Sequence, residues 1–163
     1  MSSSLSTIPG KSLTASSRAE IVAGLKALLA DTYSLYLKTH GYHWNVRGPN
    51  FASLHVLFSD QYNEMWLAID TLAERIRALG DIAPQGYGAF GNLTAIRDGD
   101  GEKDWEAMVA ELKADQDILI ATARSAFPAA EAANDQASMD LITQRLDAHE
   151  KHAWMLRATL GER

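Results

Sequence analysis

With no Cys among its 163 residues, this chain has no thiolate nucleophile, no iron–sulfur cluster, no disulfide and no Cys-based zinc site. Any metal must therefore rest on its five His and its carboxylates. The helical metal motif with the clearest mechanics, Glu-x-x-His, needs both side chains on one face of one helix. No Glu here is followed by His at that spacing: Glu64 leads to Leu67, Glu74 to Arg77 and Glu150 to Ala153. A di-iron site inside one bundle is thereby ruled out. The segment His149-Glu150-Lys151-His152 is one residue short of a zinc-protease motif, a spacing expected to turn its second His away from the first.

What remains is His43, His55, Asp70 and Glu74. On a helical wheel with His55 at zero, Asp70 falls near ~60° and Glu74 near ~100°, so the three share one stripe beside the apolar seam. His55 and Asp70 are nevertheless ~22 Å apart along the axis, beyond the reach of any single ion. A metal site from these residues demands two subunits: an antiparallel second copy would bring the His end of one helix to the carboxylate end of the other, twice. The same residue types also fit a solvated acidic face with a capping histidine, and spacing alone leaves both readings open.

The elements that position them read as long helices. Residues 1–16, rich in Ser and Thr and aperiodic, read as a flexible tail, with a single domain over 17–163. A first helix is expected from Ser17, with Glu20 in capping-box spacing, to Asn45; its seam is Ile21, Leu25, Leu28, Thr32, Leu35, Thr39 and Tyr42. Arg47-Gly48-Pro49-Asn50 breaks the chain, and a second helix follows from Phe51 to Leu79 with Gly80 as its stop. Six of the 11 Gly fall in residues 80–102, a crossover too long for a tight turn, with a short helix expected near Leu93–Arg97. A third long helix is expected over Lys103–Phe127, ended by Pro128, and a fourth over Asn134–Leu160. The fold class is all-α: a ferritin-like four-helix bundle with a long crossover between its second and third helices.

Neither a secretory signal nor an apolar run of membrane length is evident, so a cytoplasmic protein is expected. The 15 Lys and Arg against 21 Asp and Glu leave a formal charge of −6, which argues against a nucleic-acid surface and favours cations.

The run from Lys38 through His43-Trp44-Asn45-Val46-Arg47-Gly48-Pro49-Asn50-Phe51, then Leu54-His55, then Asp70-Thr71-Leu72-Ala73-Glu74-Arg75, strongly resembles the Dps family, the miniferritins. The likeness extends from about residue 18 to 160. It implies a hollow homo-dodecamer with ferroxidase centres at its two-fold interfaces, where His43 and His55 of one subunit and Asp70 and Glu74 of the partner bind iron. In that family Fe(II) is oxidised with hydrogen peroxide in preference to oxygen, and ferric iron is stored in the cavity.

Four residues after His55 many relatives carry an acidic ligand; here Ser59 stands there, with Asp60 rotated a further ~100° around the helix. The resemblance further implies a radical-sink role for Trp44 and an iron-entry pore lined by Asp135 and Asp140, with Gln144 where a third carboxylate often stands. DNA binding in the family relies on a Lys-rich tail; this one offers Lys11, so weak or absent binding is expected. The alternatives are a nucleoid-associated, DNA-compacting protein with weak ferroxidase activity, and an inert cage of the same fold.

Overall fold

The computed structural model describes residues 13–163, and among them five helices and no strand. The expected tail lies outside the described residues over 1–12, and its last two residues, Ala15 and Ser16, are already helical. Helix α1 (Ala15–Asn45) begins earlier than the capping-box reading placed it, because Thr14 is the N-cap: its hydroxyl accepts from the Ser17 backbone N–H at 3.1 Å. Helix α2 (Phe51–Ala78) ends at Gly80, whose φ of +89° closes the helix through Gly80 N–H to Arg77 O and Asp81 N–H to Ile76 O.

The crossover helix α3 (Tyr87–Leu93) lies earlier than the expected 93–97. Stacking decides its place, with Phe90 flat on Tyr33 of α1 at 4.6 Å and 13°. The following residues are held extended by Asp31, a buried carboxylate that accepts from Thr94 Oγ1 at 2.8 Å, Ala95 N–H at 2.7 Å and Thr122 Oγ1 at 2.6 Å.

Helix α4 (Trp105–Ala132) runs through Pro128, which was expected to end it. Proline removes one N–H and crowds the preceding turn, but Pro128 faces solvent while Ala126 and Ala130 on either side are buried, so packing carries the helix past it. The stop is Asn134, in the left-handed region at φ 54°. Helix α5 (Gln136–Thr159) follows at once, capped by Asp135.

Because α2 and α4 both begin near Gly48, which packs on Trp105, they run parallel, and α1 and α5 run against them. That is the ferritin-like arrangement. Every residue of the predicted α1 seam is buried, and Leu54, Phe58, Met65, Leu72 and Ile76 carry the α2 side of the core. Within the core lies a polar layer that periodicity does not reveal. Lys38 Nζ sits 2.7 Å from Asp115 Oδ2, and the Arg145 guanidinium grips Glu64 at 2.5 and 2.8 Å. Lys38, Asp115 and Arg145 are buried and each has an opposite charge beside it, as burial requires, while Glu64 reaches Arg145 from a partly exposed position.

Candidate metal centre

The sharp reversal at Val46–Asn50 brings the last turn of α1 against the first turns of α2. Val46 is buried and anchors the turn, and Gly48 adopts φ +112°, a conformation that L side chains rarely take, while its backbone rests on Trp105. His43 and His55 meet across this reversal, their rings stacked at 3.7 Å and 17°. His43 Nδ1 lies 2.7 Å from the carbonyl of His55, and His55 Nδ1 lies 2.9 Å from the carbonyl of His43. A carbonyl only accepts, so each Nδ1 carries the proton and donates. In the neutral imidazole each Nε2 then keeps its lone pair, the form a metal needs.

Asp70 and Glu74 lie on the exposed face of α2, one turn apart, with no side-chain hydrogen bond or ion pair among the described residues. Arg75, adjacent to Glu74, would be its obvious neutraliser. Its guanidinium instead turns to α5, bonding Asp135 Oδ1 at 2.6 Å and Ser138 Oγ at 2.9 Å. Both carboxylates of the stripe are left with free oxygens. Within one chain they remain far along α2 from the His pair, and no group of three or more His, Asp or Glu able to hold a metal occurs among the described residues of this single chain. Between the two ends, on the same stripe, Trp66 and Leu67 are 54% and 71% exposed. Large apolar side chains so displayed suit a surface that another chain covers.

Ser59 is half-buried, and Asn63 Nδ2 donates to its carbonyl at 2.9 Å and to its hydroxyl at 3.3 Å; Asp60 is exposed on a different face. Trp44 is 65% exposed and leans on His40 at 4.3 Å. Asp135 and Asp140 differ in kind. Both oxygens of Asp135 are engaged, by Arg75 and by the backbone and hydroxyl of Ser138. Burial alone would raise its pKa, but the bonds from Ser138 and Arg75 hold it below the usual carboxylate value. Asp140 is exposed, with Gln144 Nε2 donating to it at 2.7 Å.

The expectation that His149 and His152 face apart is corrected: their rings are 5.8 Å apart and both are buried. Three residues are less than one helical turn, which leaves both on the core side. Arg145 occupies the space before them, its Nη2 3.1 Å from His149 Nε2, so a second cation has no place there. Sequence reasoning also passed over an aromatic cluster around the His pair, formed by Tyr36, His40, Tyr62 and Trp66. Its signal was present in the three- and four-residue spacing of rings along α1 at 33, 36, 40 and 43.

A helical bundle with a long crossover between its second and third long helices has the ferritin-like form, here with an imidazole pair held where α1 meets α2, and a family model described as a ferritin-like domain matches residues 22–163. A DNA protection during starvation protein of Brevibacillus brevis is 35% identical over 136 residues, 83% of this chain and 91% of its own. An uncharacterized low temperature-induced protein of a Nostoc species is 36% identical over 148 residues, 90% of this chain and 83% of its own. The crystal structure of the Dps protein of Vibrio cholerae O1, described as a member of a broad superfamily of ferritin-like diiron-carboxylate proteins, superposes with a TM-score of 0.87 at 28% identity, covering 98% of this chain and 99% of that one. The chain belongs to the Dps family.

Proposed function

We propose that this protein is a cytoplasmic iron-oxidising and iron-storing miniferritin, a dodecamer whose centres lie between antiparallel pairs of α2. The observation that carries the reading is the stacked pair of His43 and His55, each with Nδ1 on the other's backbone carbonyl and with Nε2 outside any hydrogen bond among the described residues. Asp70 and Glu74 of the facing subunit supply the oxygen donors. Imidazole and carboxylate together hold the substrate Fe(II), and the hard oxygens favour Fe(III) as it forms. Hydrogen peroxide accepts one electron from each of two Fe(II) ions, and ferric iron passes to the interior. With Ser59 in place of a carboxylate, each centre holds one ion firmly. Trp44, beside His43, is placed to trap stray oxidising equivalents.

Iron entry falls to Asp140, since Asp135 spends its carboxylate within the chain. With −6 per subunit the outer body repels DNA, so protection of DNA proceeds through removal of iron and peroxide. The test is the rate of Fe(II) oxidation in assembled His43→Ala and Asp70→Ala proteins. Both fall at least roughly tenfold if these residues are ligands; rates unchanged in both variants refute the site. Retardation of DNA in a gel at moderate salt would favour the DNA-compacting alternative.

A further inference from the structure

The aromatic cluster beside the His pair runs in one direction. His43 meets Tyr62 edge-on at 5.2 Å, Tyr62 meets Tyr36 at 6.0 Å, and Tyr36 meets Trp66 at 5.4 Å. His40 fills the angle between them, stacked on Tyr62 at 4.1 Å and touching Tyr36 at 5.6 Å. Trp66 is four residues before Asp70, one turn away on the same face of α2. A row of neighbouring rings therefore runs from the imidazole end of α2 to Trp66, one turn short of Asp70, inside one chain. If α2 pairs antiparallel with a second copy, its imidazole and carboxylate ends belong to two different metal centres.

We infer that Tyr62, Tyr36 and Trp66 conduct single electrons between the two centres of a subunit pair, so that two ions held apart reduce one molecule of peroxide together. The inference rests on the two-chain site proposed above. It answers a difficulty that the chain itself poses. Peroxide needs two electrons, one Fe(II) supplies one, and Ser59 leaves the position for a second ion without its carboxylate.

An Fe(II) at the first centre gives one electron to hydrogen peroxide; the O–O bond breaks, one oxygen leaves as water after taking a proton, and the other takes the hydrogen atom of the Tyr62 phenol to become the second water. The vacancy on Tyr62 is filled from Tyr36, then from Trp66, and finally by an Fe(II) at the second centre. Each phenol regains a proton from solvent, which reaches both half-buried tyrosines. Two Fe(II), one peroxide and two protons become two Fe(III) and two waters, and no hydroxyl radical escapes.

Packing alone would be served as well by phenylalanine. Neither Tyr36 nor Tyr62 uses its hydroxyl in a hydrogen bond among the described residues, so the phenols add nothing to the fold that a plain ring would lack. Burial, reinforced by Tyr33 and Tyr62, raises the Tyr36 pKa and keeps its hydrogen in place for transfer.

The experiment uses the assembled full chain loaded anaerobically with Fe(II) at one ion per centre and then given hydrogen peroxide. It compares wild type, Tyr36→Phe, Trp66→Phe and His43→Ala by iron consumed per peroxide and by freeze-quench electron paramagnetic resonance. Both aromatic substitutions keep a ring in the row, and circular dichroism with size-exclusion chromatography confirms the assembly. The expected result is that iron consumed per peroxide falls from about two to about one in Tyr36→Phe and in Trp66→Phe, because the one-electron path is cut. A tyrosyl signal then persists in Tyr36→Phe where wild type shows it only briefly. A wild-type ratio and wild-type radical yield in both variants, with oxidation lost in His43→Ala, overturns the electron path and leaves the site standing. Oxidation retained in His43→Ala overturns the site and the path together.

Discussion

His43 and His55 hold each other: each ring donates its Nδ1 proton to the other residue's backbone carbonyl, at 2.7 and 2.9 Å, while the two rings stack. The acceptors are main-chain atoms, so removing one side chain leaves the other's anchor in place. His55→Ala is therefore expected to weaken Fe(II) binding by roughly 10- to 100-fold without abolishing it, since His43 still presents Nε2 in the correct tautomer. Titration calorimetry of Fe(II) under anaerobic conditions measures this. Complete loss of binding in the single variant would show that the stacked partner itself, and not the carbonyl, orients His43.

A site divided between chains can be rebuilt from two broken ones. In a mixed pair of His43→Ala and Asp70→Ala subunits, one interface centre carries both defects and the other carries neither. Random co-assembly of equal amounts should restore about a quarter of the wild-type centres, from the statistics of pairing alone. Ferroxidase rates of the co-refolded mixture, set against each inactive parent, read this out directly. No recovery would place all four residues in a single chain's centre, against the ~22 Å that separates His55 from Asp70 along α2.

Arg75 and Asp135 tie α2 to the start of α5 at 2.6 Å, and Asp135 also caps α5 through Ser138. The Asp135 side chain is only 7% exposed and that of Arg75 is 22% exposed, so this pair is screened less than a surface bridge. Asp135→Ala removes the cap and leaves the arginine without its partner, at an expected cost of ~1–3 kcal/mol. Urea unfolding followed by circular dichroism tests the value. Because Arg75 then becomes available to Glu74, ferroxidase activity should fall in the same variant although Asp135 is not a ligand.

Acid should loosen the bundle before it reaches the carboxylates. Burial lowers the pKa of His152 from 6.5 to about 4, with Arg145 and Lys151 adding to the effect against Glu64, and burial pushes His149 well below its ordinary value. A histidine kept neutral in the folded state but free to protonate when unfolded makes stability fall as pH falls. The contribution is fully present above about 6.5 and is lost progressively toward about 4. For His152 alone this amounts to roughly 3 kcal/mol. Denaturation midpoints from pH 7 to 4 should drop in wild type and drop less in His152→Leu; parallel slopes in the two proteins would remove His152 as the cause.

The bundle was legible because its signals are local and repeat. The α1 seam, the glycine stop at Gly80 and the crossover each rest on periodicity or backbone freedom, and all three are found. Errors arose where tertiary contact outweighs local preference. Pro128 sits on the solvent side of a helix whose core side is packed, and α3 forms where Phe90 can stack on Tyr33. For the proposed site the sequence offers residue types, and the way they are presented comes from the structure alone. No spacing rule announces that two imidazoles will exchange hydrogen bonds with each other's carbonyls, or that Arg75 will turn from Glu74 to Asp135. The Lys38–Asp115 and Glu64–Arg145 pairs were hidden for a related reason, since a charge on a helix reads as surface until a partner on another helix is known.

Ser59 offers the most direct control over the chemistry. It lies one turn after His55 on the same face of α2, whereas Asp60 is turned a further ~100° away, so acidity at 60 cannot substitute for a carboxylate at 59. Among the described residues its hydroxyl is tied only to Asn63, at 3.3 Å, and it is half-buried beside the proposed centre. Ser59→Asp should therefore supply a hard oxygen donor for a second ion, raising Fe(II) bound per centre from about one to about two at a helix-propensity cost below ~1 kcal/mol. With both electrons then available locally, the variant should keep its full yield of iron oxidised per peroxide even when Tyr36 is replaced by Phe. Asp60→Ala serves as the control and should leave binding unchanged. If Ser59→Asp binds no additional iron, the hydroxyl is not what limits the second position, and the geometry of the facing subunit's carboxylates must be.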